Sequence, residues 1–109
     1  MERVARLVTI FALSVATNHV HAQEAGNSQD GLELAQQVCS ECHAIRREQI
    51  RSPNPQSPTF VEIATTPGMT AVAVLVALTT PHAGMPMFIL TTNQRENIAA
   101  YILSLKERR

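Results

Sequence analysis

Hydrophobic positions recur at helical spacing near the C-terminus of the chain, and this is the clearest element that the sequence predicts. Thr91 with Gln94 three residues later forms a capping-box signature, which marks the start of a helix. Beyond it the hydrophobic residues fall at positions i, i+3, i+4 and i+7: Ile98, Tyr101, Ile102 and Leu105. We therefore expect an amphipathic terminal helix that buries one face.

Three weaker patterns precede this helix. The segment GLELAQQVC, from Gly31, places Leu32, Ala35 and Val38 at helical spacing and predicts a short helix that runs into Cys39. Residues 60–64 are long enough for a single helical turn, which Pro67 and Gly68 would stop. Residues 70–78 are apolar throughout, and their length suits a strand or a short helix. The alanines and the lack of a pairing hairpin favour helix.

The segments between these elements are long and irregular. Residues 46–58 contain three prolines and no periodicity, and proline and glycine interrupt residues 81–90. The sequence thus predicts an all-α fold of three to four helices with long loops and no internal repeat. A mostly helical chain with such long loops usually folds around a bound group.

The N-terminal residues have the layout of a secretory signal. Arg3 and Arg6 precede an apolar run over residues 7–16, and small residues lead to Ala22. The alternative, an uncleaved membrane anchor, is disfavoured because the run is about half of the ~20 residues that span a bilayer. We predict a cleaved signal peptide over residues 1–22, a flexible segment over residues 23–30, and one domain over residues 31–109. The protein would then be exported to the periplasm.

Composition changes this picture in one respect. The chain has nine basic and nine acidic residues, so its charge gives no reason to expect nucleic acid as a partner. Aromatic residues make up only 4% of the chain. Because a domain this small often needs a staple or a prosthetic group to be stable, a large apolar cofactor would supply the missing core.

The segment Cys39-Ser40-Glu41-Cys42-His43 carries the strongest chemical signal. Two cysteines on one turn can each form a thioether to a haem, and the histidine after the second can bind the iron. A redox-active disulfide would normally follow a strand, and no strand is predicted. A zinc site would need a second pair of ligands, and a plain disulfide leaves His43 unexplained. The motif therefore indicates one covalently attached haem c.

A six-coordinate haem needs a second axial ligand. The candidates are Met69, Met85, Met87 and His82. Gly84 and Pro86 flank Met85 in a loop that leads into the last helix, and such a loop can hold a thioether rigidly. We expect Met85 to be this ligand, with Met87 as the second choice.

These residues together resemble a class I cytochrome c of the small bacterial periplasmic type. The features that carry the resemblance span the chain in order: Gly31 eight residues before Cys39, CSECH, Pro58-Thr59-Phe60, Met85-Pro86, and Tyr101 in the terminal helix. The resemblance implies the class I fold, with the helices wrapped around one covalently attached haem c.

The resemblance also implies a role for each matching residue. Cys39 and Cys42 would be the thioether anchors, His43 the proximal iron ligand and Met85 the distal one. Pro58 matches the proline whose carbonyl accepts a hydrogen bond from the proximal imidazole, although Pro53 and Pro55 are rivals in a loop longer than the common pattern. Gly31 and Tyr101 match the residues at which the first and last helices cross.

Two features depart from the family pattern. Ala35 stands where an aromatic residue is common, so the helix crossing is less filled. The ring of lysines that mitochondrial-type carriers use for docking is absent. Three arginines could replace it, contact a haem propionate, or form a solvated face: Arg46, Arg47 and Arg51.

The function implied is transfer of single electrons between periplasmic or membrane-bound redox proteins, by a carrier that is not itself an enzyme. The alternatives are a haem subunit of a periplasmic dehydrogenase or oxidase, and a ligand sensor with a weak distal ligand. The expected pocket walls are Phe60, Leu75, Val76, Phe88 and Ile102. We expect a monomer or weak oligomer without a membrane span.

Overall fold

A computed structural model describes residues 26–106 of the 109-residue chain. The regular elements within this range are four α-helices: α1 (Ser28–Val38), α2 (Phe60–Thr65), α3 (Ala71–Thr79) and α4 (Thr92–Ser104). The expected all-α class is therefore confirmed. The predicted signal peptide over residues 1–22 lies outside the described residues. In the described part of the chain, no helix is long and apolar enough to cross a membrane.

Helix α1 begins three residues earlier than the predicted start at Gly31. Asn27 caps it, because the Asn27 side chain accepts hydrogen bonds from the backbone N–H groups of Gln29 (2.9 Å) and Asp30 (3.1 Å). Asp30 also places a negative charge in the first turn, where the helix dipole favours it. The segment predicted as flexible over residues 23–30 is thus helical from Ser28 onward.

Helices α1 and α4 cross at Gly31, as the sequence predicted. A Cβ atom at Gly31 would overlap the backbone carbonyl of Asn97 and lie 2.8 Å from Cβ of Tyr101. Glycine is needed here because it lets the two backbones approach closely. Ala35 lies one turn further along the same face of α1 and is completely buried.

Asparagines fasten the N-terminal end of α1 to α4, which the sequence gave no reason to expect. The backbone N–H of Asn27 donates to Oδ1 of Asn97 at 2.7 Å, and Nδ2 of Asn97 donates to Oδ1 of Asn93 at 3.2 Å. Asn97 is 7% exposed, so these bonds satisfy a polar side chain inside the helix interface. They fix the register of α1 along α4.

Helix α4 is the central element, since the other three helices all pack against it. Its predicted capping box is present: Thr91 accepts from the N–H of Gln94, and Gln94 accepts from that of Thr91. Thr59 and Glu62 form a second capping box at α2. The four predicted hydrophobic positions, the last of which is the C-cap Leu105, are all buried. They belong to one core: Ala35, Cys39, Ile45, Phe60, Ala64, Val74, Ile98, Ala99, Tyr101, Ile102 and Leu105.

Candidate functional site

The CSECH segment continues from α1 as a hydrogen-bonded turn. The backbone N–H groups of Cys42 and His43 donate to the carbonyl of Cys39 at 3.2 and 2.9 Å. This turn places both cysteines and the histidine at the C-terminal end of α1, as the spacing predicted. Because α1 is fixed on α4, the turn has a rigid base.

Cys39 and Cys42 are not bonded to each other, and they differ in exposure. Cys39 is buried, whereas Cys42 is partly exposed. Burial raises the pKa of the Cys39 thiol from 9.0 to about 11, because the apolar surroundings disfavour the thiolate. The cysteine of a redox-active disulfide needs the opposite shift, so the environment of Cys39 does not resemble that chemistry.

His43 is oriented by a hydrogen bond at one ring nitrogen. Its Nδ1 lies 2.6 Å from the carbonyl oxygen of Pro58, which can only accept, so Nδ1 carries the proton. In the neutral imidazole, Nε2 is then the nitrogen whose lone pair can bind a metal ion. Of the three prolines in this loop, it is the one next to α2 that makes the contact.

One cavity brings together the sequence-predicted site residues from both ends of the chain. It is lined from the CSECH segment by Cys39, Glu41, Cys42 and His43, and from the later loop by Met85 with its neighbours Gly84 and Pro86. Gly84 has φ of +79°, a conformation that favours glycine, at the turn that brings Met85 back toward His82. Phe88 also lines this cavity.

A second, apolar cavity adjoins the first and shares Cys39 and His43 with it. Its remaining walls come from α2, α3 and α4 and the segment between α2 and α3: Phe60, Ile63, Met69, Ala73, Val74, Ala77, Leu78, Ile98 and Ile102. Of the expected pocket walls, Phe60 and Ile102 line it. Leu75 packs against the core instead, and Val76, which is 57% exposed, lines neither cavity. The expectation for these two residues was wrong, because α3 turns Val74 inward.

The other candidate ligands lie in different surroundings from Met85. Met87 is 52% exposed, and His82 is exposed at the start of the loop. Met69 lines the second, apolar cavity. Only Met85 of these four shares the first cavity with His43 and both cysteines.

The arginines of residues 46–51 lie on the surface. Arg46, Arg47 and Arg51 are all exposed, and Nη2 of Arg47 reaches the carbonyl of Ser104 at the end of α4, at 3.5 Å. A cation at the carboxyl end of a helix is favourable for the helix dipole. The chain from Ile63 to Gln94, which includes α3 and the Met85 loop, has no aspartate, glutamate, lysine or arginine.

Comparison with known proteins gives this arrangement a family. The family model for cytochrome c matches residues 28–106. The chain belongs to the cytochrome c family. It is 30% identical over 97 residues to cytochrome c-552 of Bradyrhizobium diazoefficiens, with 89% of each chain covered. No solved structure matches the chain at a significant level.

Membership of the cytochrome c family identifies the cofactor and the kind of activity. The chain carries one covalently attached haem c and is an electron carrier rather than an enzyme. The residues present fit that group, since they supply two thiols, an imidazole with Nε2 free of protein partners among the described residues, a thioether and an apolar wall. Within residues 26–106, no group of three or more His, Cys, Asp or Glu side chains is arranged to hold a metal ion.

Proposed function

We propose that the protein carries single electrons through a haem that Cys39 and Cys42 hold covalently and that His43 and Met85 ligate. The cavity that these four side chains share is the observation that carries the proposal. Two thiols, an imidazole and a thioether converge there, and each kind matches one need of a c-type haem. The haem iron, when bound, supplies the reversible one-electron chemistry.

The chain contributes a fixed proximal ligand. The Pro58 carbonyl holds the proton on Nδ1 of His43, which keeps Nε2 available and makes the imidazole a stronger donor. The turn at Cys39 holds the backbone of His43. Little reorganisation of the protein is then needed when the charge at the iron changes.

The chain also contributes a distal ligand and apolar surroundings. A methionine thioether donates weakly, and the apolar walls formed by Phe60, Val74 and Ile102 penalise the additional charge of ferric iron. Both effects favour the reduced state. The protein would therefore accept electrons at a comparatively high potential.

The proposal places the protein in the periplasm, with redox proteins as donor and acceptor. Two observations support this location: residues 1–22 have the layout of a secretory signal, and the chain belongs to the cytochrome c family. The Met85 loop presents apolar side chains to solvent: Met87, Phe88 and Ile89 are all exposed there, and the loop has no aspartate, glutamate, lysine or arginine. Glu41 adds one carboxylate at the same cavity. We infer that a partner approaches through this loop, over an apolar rather than a charged contact.

Substitution of each loop methionine in turn tests the ligand assignment. In the ferric holoprotein, Met85→Leu should abolish the near-infrared band of sulfur-to-iron ligation and let the reduced protein bind carbon monoxide readily. Met87→Leu is the matched control, because it makes the same change two residues away at an exposed side chain, and it should preserve the band. Loss of the band in Met87→Leu but not in Met85→Leu would contradict the proposal.

A further inference from the structure

The backbone around His43 is held by donors from outside the CSECH turn. The backbone N–H of Asn54 donates to the carbonyl of Cys42 at 3.1 Å, and the backbone N–H of Phe60 donates to the carbonyl of Ala44 at 2.8 Å. The third carbonyl, that of Ile45, accepts a hydrogen bond of 2.5 Å from the hydroxyl of Tyr101. The hydroxyl of Tyr101 is therefore a side-chain donor to this segment, whereas the donors to Cys42 and Ala44 are backbone N–H groups.

Tyr101 differs from the other side chains that contact this segment by its origin. Ser52 and Gln49 accept from the N–H groups of Ala44 and Ile45, but both belong to the loop that follows immediately. Tyr101 comes from the last turn of α4, and it is 7% exposed. Its hydroxyl thus connects the ligand segment to the rigid crossing of α1 and α4.

The aromatic rings of His43, Phe60 and Tyr101 form a second connection between the ligand segment and α4. The ring of Phe60 lies between the other two, with its centroid 5.5 Å from that of His43 and 6.2 Å from that of Tyr101. The interplanar angles, 51° and 55°, are tilted arrangements of the kind that aromatic pairs prefer. Movement of the Tyr101 ring would therefore be felt at the imidazole both through the backbone and through Phe60.

We propose that Tyr101 is a positioning residue for His43, and that its hydroxyl maintains the hydrogen bond from Nδ1 to Pro58 through the Ile45 carbonyl. The inference rests on the proposed role of His43 as the proximal ligand. If the hydroxyl is removed, the segment from Cys42 to Ile45 loses its hydrogen bond to α4 and keeps only the ring contacts through Phe60. The bond to Pro58 then opens more often, and the imidazole becomes a weaker donor to ferric iron.

The test uses the holoprotein and Tyr101→Phe, which keeps the ring against Phe60 and removes only the hydroxyl. We expect exchange of the His43 Nδ1 proton with water, followed by NMR, to accelerate about fivefold or more, as the loss of one hydrogen bond predicts. We also expect the reduction potential to rise, because ferric iron loses stabilisation.

Two control variants separate positioning from general stability. Ser104→Ala removes another α4 hydroxyl that bonds a backbone carbonyl, that of Tyr101 at 2.5 Å. Asn27→Ala removes the α1 cap and destabilises the fold away from the haem site. Both should leave the Nδ1 exchange rate and the potential unchanged even where the free energy of unfolding falls.

Two results would contradict different claims. If Tyr101→Phe lowers stability but alters the exchange rate and potential no more than the two controls do, Tyr101 is only a core residue. If the wild-type ferric protein shows no hyperfine-shifted ring protons from His43, the imidazole is not the iron ligand and the proposed function itself fails.

Discussion

Single hydrogen bonds set the chemistry of the proposed ligands. The carbonyl of Pro58 determines which nitrogen of His43 carries the proton, and the hydroxyl of Tyr101 holds the carbonyl of Ile45 two residues further on. The motif alone predicted the cysteines and the histidine. It could not predict Tyr101 as a donor to Ile45, because that contact joins residues 56 positions apart and depends on how the helices pack.

The buried hydroxyl of Tyr101 gives the stability a dependence on pH. Burial raises the pKa of Tyr101 above its ordinary value of 10.0, an effect to which Glu48 adds and which Arg46 and Arg47 oppose. The folded state therefore holds this proton more tightly than the unfolded state does. The resulting stabilisation is complete below pH 10.0 and is lost as the pH rises above it.

We predict that the difference in free energy of unfolding between the wild type and Tyr101→Phe is constant up to about pH 9 and shrinks above pH 10. Guanidinium unfolding of both holoproteins at a series of pH values measures it. The variant serves as the control, since other alkaline titrations affect both proteins alike. A difference that stays constant to about pH 11 would show that the Tyr101 pKa is not raised.

At the scale of elements, the crossing of α1 and α4 supports the whole site. The sequence predicted these two helices well, because hydrophobic residues recur along them at helical spacing and a capping box marks the start of α4. Helix α3 was harder: it is apolar on every side, so its pattern could not show that Val74 rather than Leu75 or Val76 faces the cavity. The asparagine contacts between α1 and α4 were missed, since polar residues at helix ends are ordinarily solvated.

Gly31→Ala tests the importance of this crossing. The added methyl group would overlap the carbonyl of Asn97, so the helices must separate. We expect the free energy of unfolding to fall by about 1–3 kcal/mol in denaturant titrations of the holoprotein. Gln37→Ala, at an exposed position of the same helix, should change it by less than about 0.5 kcal/mol. Equal stability of the two variants would mean that the close approach is not needed.

The whole molecule combines a near-neutral charge with a loop beside the haem site that has no aspartate, glutamate, lysine or arginine. Nine basic residues balance nine acidic ones, and the chain has no charged residue between Glu62 and Arg95. The expectation that a lysine ring is lacking could be read from composition. That the apolar residues 87–89 lie exposed beside the cavity could not, because the pattern of an irregular loop does not show which side chains face solvent.

This distribution of charge predicts electron transfer that depends little on salt. Electrostatic steering needs complementary charged patches, and salt screens it over about 10 Å at 0.1 M. We expect the electron self-exchange rate, measured from NMR line widths of mixed oxidation states, to change less than about threefold between 20 and 500 mM salt. A change of about tenfold or more would show that charged groups control the encounter.

The central claim is that Cys39 and Cys42 hold one haem covalently. The most direct test is the mass of the protein matured with a haem-attachment system, together with a pyridine haemochrome spectrum and peptide mapping of residues 39–43. We expect one haem per chain, retained after acid extraction and located on the peptide that contains both cysteines. A chain without a haem adduct, or a haem that acid removes, would contradict it.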